Sequence, residues 1–135
     1  MKSFSLRIVT PDGEIYNGEA QSITVKALDG DAQILAGHAD YFSPLNGGRV
    51  KLVLADNEHR EASSSGGFIS VKSGSVEVVF TTFEYAENID VARAKFAKDK
   101  AEALLAAAKD EAEEKRAKAK LSRALCRINV AESIK

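Results

Sequence analysis

At 135 residues, with 44% apolar and 29% charged side chains, the chain has the composition of a globular protein that can bury a core without covalent staples. A net charge of −1 and a single cysteine, Cys126, exclude an internal disulfide and give no overall bias towards a polyanionic partner. No run approaches the roughly 18 uninterrupted apolar residues of a bilayer span, so membrane association is expected only through a partner.

The chain opens in strand rhythm. Phe4, Leu6 and Ile8 alternate with Ser3, Ser5 and Arg7, the period of a strand with one buried face. This is not the pattern of a signal or transit peptide, so a cytosolic setting is expected. Pro11-Asp12-Gly13 then supplies turn chemistry, and Ile23, Val25 and Ala27 alternate again before Leu28-Asp29-Gly30-Asp31. Asn46-Gly47-Gly48 precedes a strand from Arg49 to Leu54, and Asp56-Asn57-Glu58 follows it as a hairpin turn. Ser63-Ser64-Ser65-Gly66-Gly67 reads as a small, flexible lead into Phe68–Val71, and Ser73-Gly74 as the turn before Val76–Phe80. Short strands at this spacing, with no helix signal between them, predict a β-sandwich or flattened barrel over residues 1–85.

The second part, residues 86–135, differs in charge and in period. It carries 12 Lys/Arg against 9 Asp/Glu, where residues 1–85 carry 7 against 11. Residues 88–130 hold no Gly or Pro and are rich in strong helix formers. Ile89, Phe96, Leu104 and Leu105 in the first half, and Leu121, Leu125 and Ile128 in the second, predict an apolar stripe. Two arrangements are open: one helix of about 40 residues, roughly 60 Å long, or a hairpin bent near Lys109–Glu114. No helix stop signal is evident between them. The fold class expected is α+β: an N-terminal β-sandwich followed by a C-terminal helical domain, hairpin or extended.

Catalytic chemistry finds little purchase. His38 and His59 lie 21 residues apart without a metal-ligand partner at helical spacing, so neither a catalytic nor a metal site is expected. There is no Gly-rich phosphate loop, and no base is placed to activate Ser63, Ser64 or Ser65. The run from Lys115 to Arg127 holds Lys115, Arg116, Lys118, Lys120, Arg123 and Arg127 without an acid. It fits a solvated helix face, or a contact surface for phosphate or an acidic protein segment. Nucleic acid is disfavoured because no aromatic residue is interleaved for stacking. Asp90 and Arg93, three apart at a helix start, fit a cap with a surface ion pair, or two walls of a ligand pocket.

Five motifs in fixed order now bear on function: FSLRIVTPDGEIYNGEA at residues 4–20, GDAQILAGHA at 30–39, Gly66-Gly67-Phe68, IDVARA at 89–94, and RAKAKLSRALCRINVAE at 116–132. Through them the whole chain resembles the epsilon subunits of bacterial-type ATP synthases. One departure is Ala36, where the family usually has Pro before the Gly-His pair. The resemblance implies a non-catalytic rotor subunit on the cytoplasmic face of the bacterial membrane. Its sandwich would dock to the gamma subunit and the c-subunit ring, with Asp31 and His38 as docking candidates. Its two helices would either fold down on the sandwich or extend along gamma towards the alpha and beta subunits. In the extended form they inhibit ATP hydrolysis, with Lys115, Arg116, Lys118, Lys120 and Arg123 as the inhibitory contact. No cofactor is required, but the resemblance implies ATP as a regulatory ligand. Its site would comprise Glu84, Ile89, Asp90, Arg93, Ala94, Arg123 and Arg127, with Lys100 where the relatives carry a further arginine. The alternatives are a β-sandwich adaptor whose basic helical tail binds an acidic protein or RNA and, less favoured, an enzyme.

Overall fold

The computed structural model describes residues 2–133, and the chain divides between Tyr85 and Ala86 into two compact units. The first unit is all strand: β1 (Phe4–Thr10), β2 (Gly13–Ala27), β3 (Gly30–Leu35), β4 (Tyr41–Leu54), β5 (His59–Lys72), β6 (Ser75–Phe80) and β7 (Phe83–Tyr85). The strands bond in the order β1-β6-β5-β4-β2-β3, and β1 also pairs with the first half of β2. That second pairing closes five strands into a flattened barrel. Only β1 and β6 run parallel. The alternating residues of β1 and β6 point inward as expected: Leu6, Ile8, Val78 and Phe80 are fully buried beside Ile23, Ile34, Leu52 and Ile69.

Two stretches expected to precede strands are themselves strand. Asn46-Gly47-Gly48 lies inside β4 and Ser63-Ser64-Ser65-Gly66-Gly67 inside β5, where they face each other as Gly47↔Ser65 and Gly48↔Ser64. Small residues are needed here for close approach, not for turning. A Cβ on Gly47 would lie 3.2 Å from the Ser64 carbonyl oxygen, and one on Gly67 only 1.8 Å from that of Val79. Gly67 also takes φ +149°, a backbone shape that L side chains rarely adopt. Asp56-Asn57-Glu58, by contrast, turns as expected, with Asn57 at φ 68° and the Glu58 N–H bonded to Asp56 Oδ1.

The sandwich ends on an anchored strand. β7 pairs with β5 through Ser64↔Phe83, Ser63↔Glu84 and Ala62↔Tyr85. Phe83 stacks on Phe80 at 5.3 Å and meets Tyr85 edge-on at 5.0 Å, and the Arg60 guanidinium lies 3.7 Å from the Tyr85 ring centre. Such a cation–π contact holds the last residue of the unit in place.

The second unit is a helical hairpin. A 3-10 turn, Ala86–Asn88, leads into α1 (Val91–Ala106), and α2 (Glu111–Glu132) packs back along α1. A stop signal does exist. Asp110 caps α2 by accepting from the Glu113 N–H at 2.8 Å, while Glu113 Oε2 accepts from the Lys109 N–H at 2.9 Å. This reciprocal pair satisfies donors that a new helix leaves open. Glu111, Glu113 and Glu114 in the first turn add the charge that a helix start favours.

The expected apolar stripe holds only in part: Ile89 and Ile128 are buried and Leu105 and Leu121 half-buried, but three of its residues are exposed. Phe96 is 71% exposed, Leu104 42% and Leu125 38%, whereas Ala94, Ala101, Ala117, Ala124 and Ala131 are all 3% exposed or less. These alanines recur every seven residues on each helix and place a row of methyl groups along the seam between the helices. Side chains this small let two helix axes approach to the short end of the usual 8–10 Å range.

Candidate functional site

Because α1 and α2 are antiparallel, residues far apart in sequence come level. Arg93 stands thirteen residues before Ala106, the last of α1, and Arg123 twelve residues after Glu111, the first of α2. At 1.5 Å per residue each lies roughly 20 Å from the turn. Arg93, Arg123 and Arg127 therefore share the end of the hairpin away from the turn.

They also share a flank. Arg116, Lys120, Arg123 and Arg127 recur at steps of four, three and four, and so line one side of α2. On α1, Arg93 and Lys100 directly precede the seam residues Ala94 and Ala101, as Arg116 and Arg123 precede Ala117 and Ala124. In an antiparallel pair, residues that precede the seam on both helices fall on the same side of it. Six cations thus line one flank. On the same flank, the Asp90 and Glu113 carboxylates are engaged in helix caps. The opposite flank is neutralised by its own pairs, Lys118 with Glu114 at 2.8 Å and Lys98 with Glu102 at 3.8 Å. The Lys118 ammonium, by hydrogen bond and charge, holds the Glu114 carboxyl below its usual range. The basic run Lys115–Arg127 is therefore not one surface: Lys115 and Lys118 face away from the stripe formed by Arg116, Lys120, Arg123 and Arg127.

Each residue of the IDVARA stretch has a placement. Ile89 and Ala94 are buried, so their part is to pack. Asp90 caps α1, its Oδ1 accepting from the Arg93 N–H at 3.0 Å. The surface ion pair entertained alongside the cap is absent: among the described residues no salt bridge joins the Asp90 and Arg93 side chains. Asp90 and Arg93 are both exposed, at the same end of the hairpin as Arg123. Glu84 belongs to β7 in the other unit.

The sandwich presents two further surfaces. Asp31 opens β3, bonded to Lys26 at 2.7 Å. His38 follows the far end of β3, its Nδ1 2.7 Å from the Ala39 carbonyl oxygen and its ring edge-on to Tyr41 at 5.7 Å. Asp31 to Leu35 is extended, about 13 Å, and a turn at Ala36-Gly37, closed by the His38 N–H on the Leu35 carbonyl oxygen at 3.2 Å, keeps His38 beside the far end of β3. Between strands, Val9↔Val79, Val79↔Phe68 and Phe68↔Pro44 are direct register partners. All four point outward, since Ile8, Val78, Ile69 and Ser43 beside them are buried. Phe42, 64% exposed, joins the row at 5.5 Å from Phe68. Sequence reading missed this row. The signal was there in Val79 and Phe68, apolar at positions where one-sided alternation calls for polar residues.

Among the described residues no group of three or more His, Cys, Asp or Glu is placed to hold a metal ion, and no helix is long and apolar enough to cross a membrane. Comparison with known proteins adds family evidence. Residues 3–86 match the family described as ATP synthase, Delta/Epsilon chain, beta-sandwich domain, and residues 87–132 its long alpha-helix domain. The chain is 39% identical over 131 residues to an ATP synthase epsilon chain of Bacillus velezensis, covering 97% of this chain and 98% of that one. It is 38% identical over 135 residues to one of Lactobacillus delbrueckii subsp. bulgaricus, covering 96% and 92%. A similar fold occurs in a Euglena gracilis mitochondrial ATP synthase structure, with a TM-score of 0.79 at 23% identity and coverage of 98% and 81%.

Proposed function

The chain belongs to the ATP synthase delta/epsilon family, and on that premise we propose that it is a non-catalytic rotor subunit whose helical hairpin is an ATP-sensitive brake on ATP hydrolysis. The sandwich docks to the gamma subunit and the c ring on the cytoplasmic face of the membrane. The outward row Val9, Val79, Phe68, Pro44 and Phe42 provides apolar area for one of these contacts, and Asp31 and His38, at the two ends of β3, take part in attachment. The helices, when extended, reach the alpha and beta subunits and inhibit through the stripe that contains Arg116, Lys120 and Arg123.

The observation that carries the ATP reading is the shared flank of Arg93, Lys100, Arg123 and Arg127. Clustered guanidinium groups suit a triphosphate through charge-assisted, bidentate hydrogen bonds. Asp90 Oδ2 accepts from an amino or hydroxyl group of the nucleoside. On one continuous helix Arg93 and Arg123 would stand roughly 45 Å apart, so only the closed hairpin offers the whole set. ATP then favours the non-inhibitory state by differential affinity. At one hundred times its dissociation constant the bias is about 2.7 kcal/mol. Titration calorimetry of the isolated chain tests this. Arg93→Ala and Arg123→Ala should each weaken binding about tenfold or more with helical content unchanged. Absence of binding heat for the unmodified chain at millimolar ATP would refute the ATP reading.

The division of labour has its own test. Removing residues 88–135 is expected to leave synthesis coupled and to raise ATP hydrolysis by the reconstituted enzyme. Uncoupling in that truncation would place docking in the helices instead.

A further inference from the structure

Within the helical unit, apolar burial is distributed unevenly. Over most of the hairpin the fully buried residues are alanines, whereas the buried side chains larger than alanine among its described residues are Ile89, Ile128 and Val130. All three lie at the hairpin end away from the turn. Ile89 precedes α1, and Ile128 and Val130 belong to the last turns of α2. Val130, one residue before the seam position Ala131, is only 1% exposed because Ala86 and Ile89 of the segment before α1 cluster with it and with Ala131. Val91 and Cys126 pack partly against the same cluster. Burial scales with apolar area, so the apolar contribution to closure is concentrated where the two ends of the unit meet.

We propose that the cluster Ala86, Ile89, Val130 and Ala131 is a clasp that sets the balance between closed and open hairpin. The inference rests on the two-state reading above and deepens it by naming the contact that must break first. The residues before α1 fold over the end of α2, so α2 cannot leave α1 without exposing Ile89 and Val130 together. The turn end has no comparable buried cluster: its fully buried residues are alanines, with Leu105 half-buried, and the cap at Asp110 fixes only where α2 begins. The clasp also adjoins Arg93, Arg123 and Arg127, so a ligand bridging those cations reinforces the same closed end. Clasp and ligand then act on one equilibrium.

The full isolated chain offers a native reporter, the half-buried thiol of Cys126. Ile89→Ala and Val130→Ala should each raise its rate of labelling by a small neutral maleimide about tenfold or more, because truncating a buried branched side chain removes both transfer energy and packing. Phe96→Ala, which truncates a larger but exposed side chain on α1, should leave the rate within about twofold. A second variant guards against simple misfolding. Ile89→Cys/Val130→Cys in a Cys126→Ser background, oxidised to a disulfide, should slow amide exchange along α2 relative to its reduced form. Labelling of Ile89→Ala and Val130→Ala at the unmodified rate, or exchange unaltered by the crosslink, overturns the proposal. Millimolar ATP should slow labelling of the unmodified chain. If ATP has no effect while Ile89→Ala stays fast, the ATP reading fails and the clasp stands.

Discussion

A chain carrying Gly67→Ala is expected to lose its native sandwich. The Cβ would sit 1.8 Å from the Val79 carbonyl oxygen and 2.9 Å from Phe80 Cα, both backbone atoms of the paired strand β6. No side-chain rotation relieves that clash, and φ +149° is itself unfavourable for alanine. Relief requires β5 and β6 to part beside Phe80, at the centre of the core. The penalty should exceed about 4 kcal/mol, a large part of what a domain of this size has in reserve. Circular dichroism and thermal melting of residues 1–85 check it. Gly47→Ala, whose Cβ would approach no closer than 3.2 Å, should cost much less. A Gly67→Ala melt within a few degrees of the unmodified one would contradict the structure at this point.

Ala117→Leu should open the hairpin while sparing the sandwich. Ala117 is 3% exposed in the seam with α1, and three added carbons have no space between two closely packed helices. Overpacking of this kind typically costs about 1–3 kcal/mol, a shift of up to about a hundredfold in a two-state element. The sandwich has a core of its own, separate from the helical clusters, so its melting should not move. In the reconstituted enzyme the same variant should inhibit hydrolysis more strongly and need more ATP for relief. Lys118→Leu, next along the helix but on the exposed flank, is the control for hydrophobicity alone. Equal inhibition by both variants would disconnect seam packing from the brake.

How much of this was legible in the sequence depends on whether a residue's reason lies near it in the chain. The strands over Phe4–Ile8 and Val76–Phe80 were readable because alternation is a local pattern with one buried face. Asn46-Gly47-Gly48 and Ser63–Gly67 were misread because their reason is each other: sixteen or more residues apart, they are small so that β4 and β5 can pass closely. Asp110 and Glu113 were a local signal overlooked inside a charged run. The alanine seam hid among residues that favour any helix, and the bulky Phe96, Leu104 and Leu125 drew attention that their exposure does not support. The binding candidates fared unevenly for the same reason. Asp90 and Arg93 announce themselves at a helix start, but the flank they share with Arg123 and Arg127 exists only once the chain doubles back.

The seven-residue spacing of the seam alanines has a consequence for how the hairpin finds its alignment. Ala94 and Ala101 on one helix, and Ala117, Ala124 and Ala131 on the other, are chemically identical knobs at identical intervals. A slide of one heptad, about 10 Å, would set methyl against methyl again and leave the middle of the interface nearly indifferent. Such a surface is degenerate, a vernier without graduations. The most distinctive marks sit at its two extremities, the Asp110–Glu113 cap and the Ile89–Val130 contact. An interface built this way stores its alignment at its ends, and a change at either end is felt along its whole length.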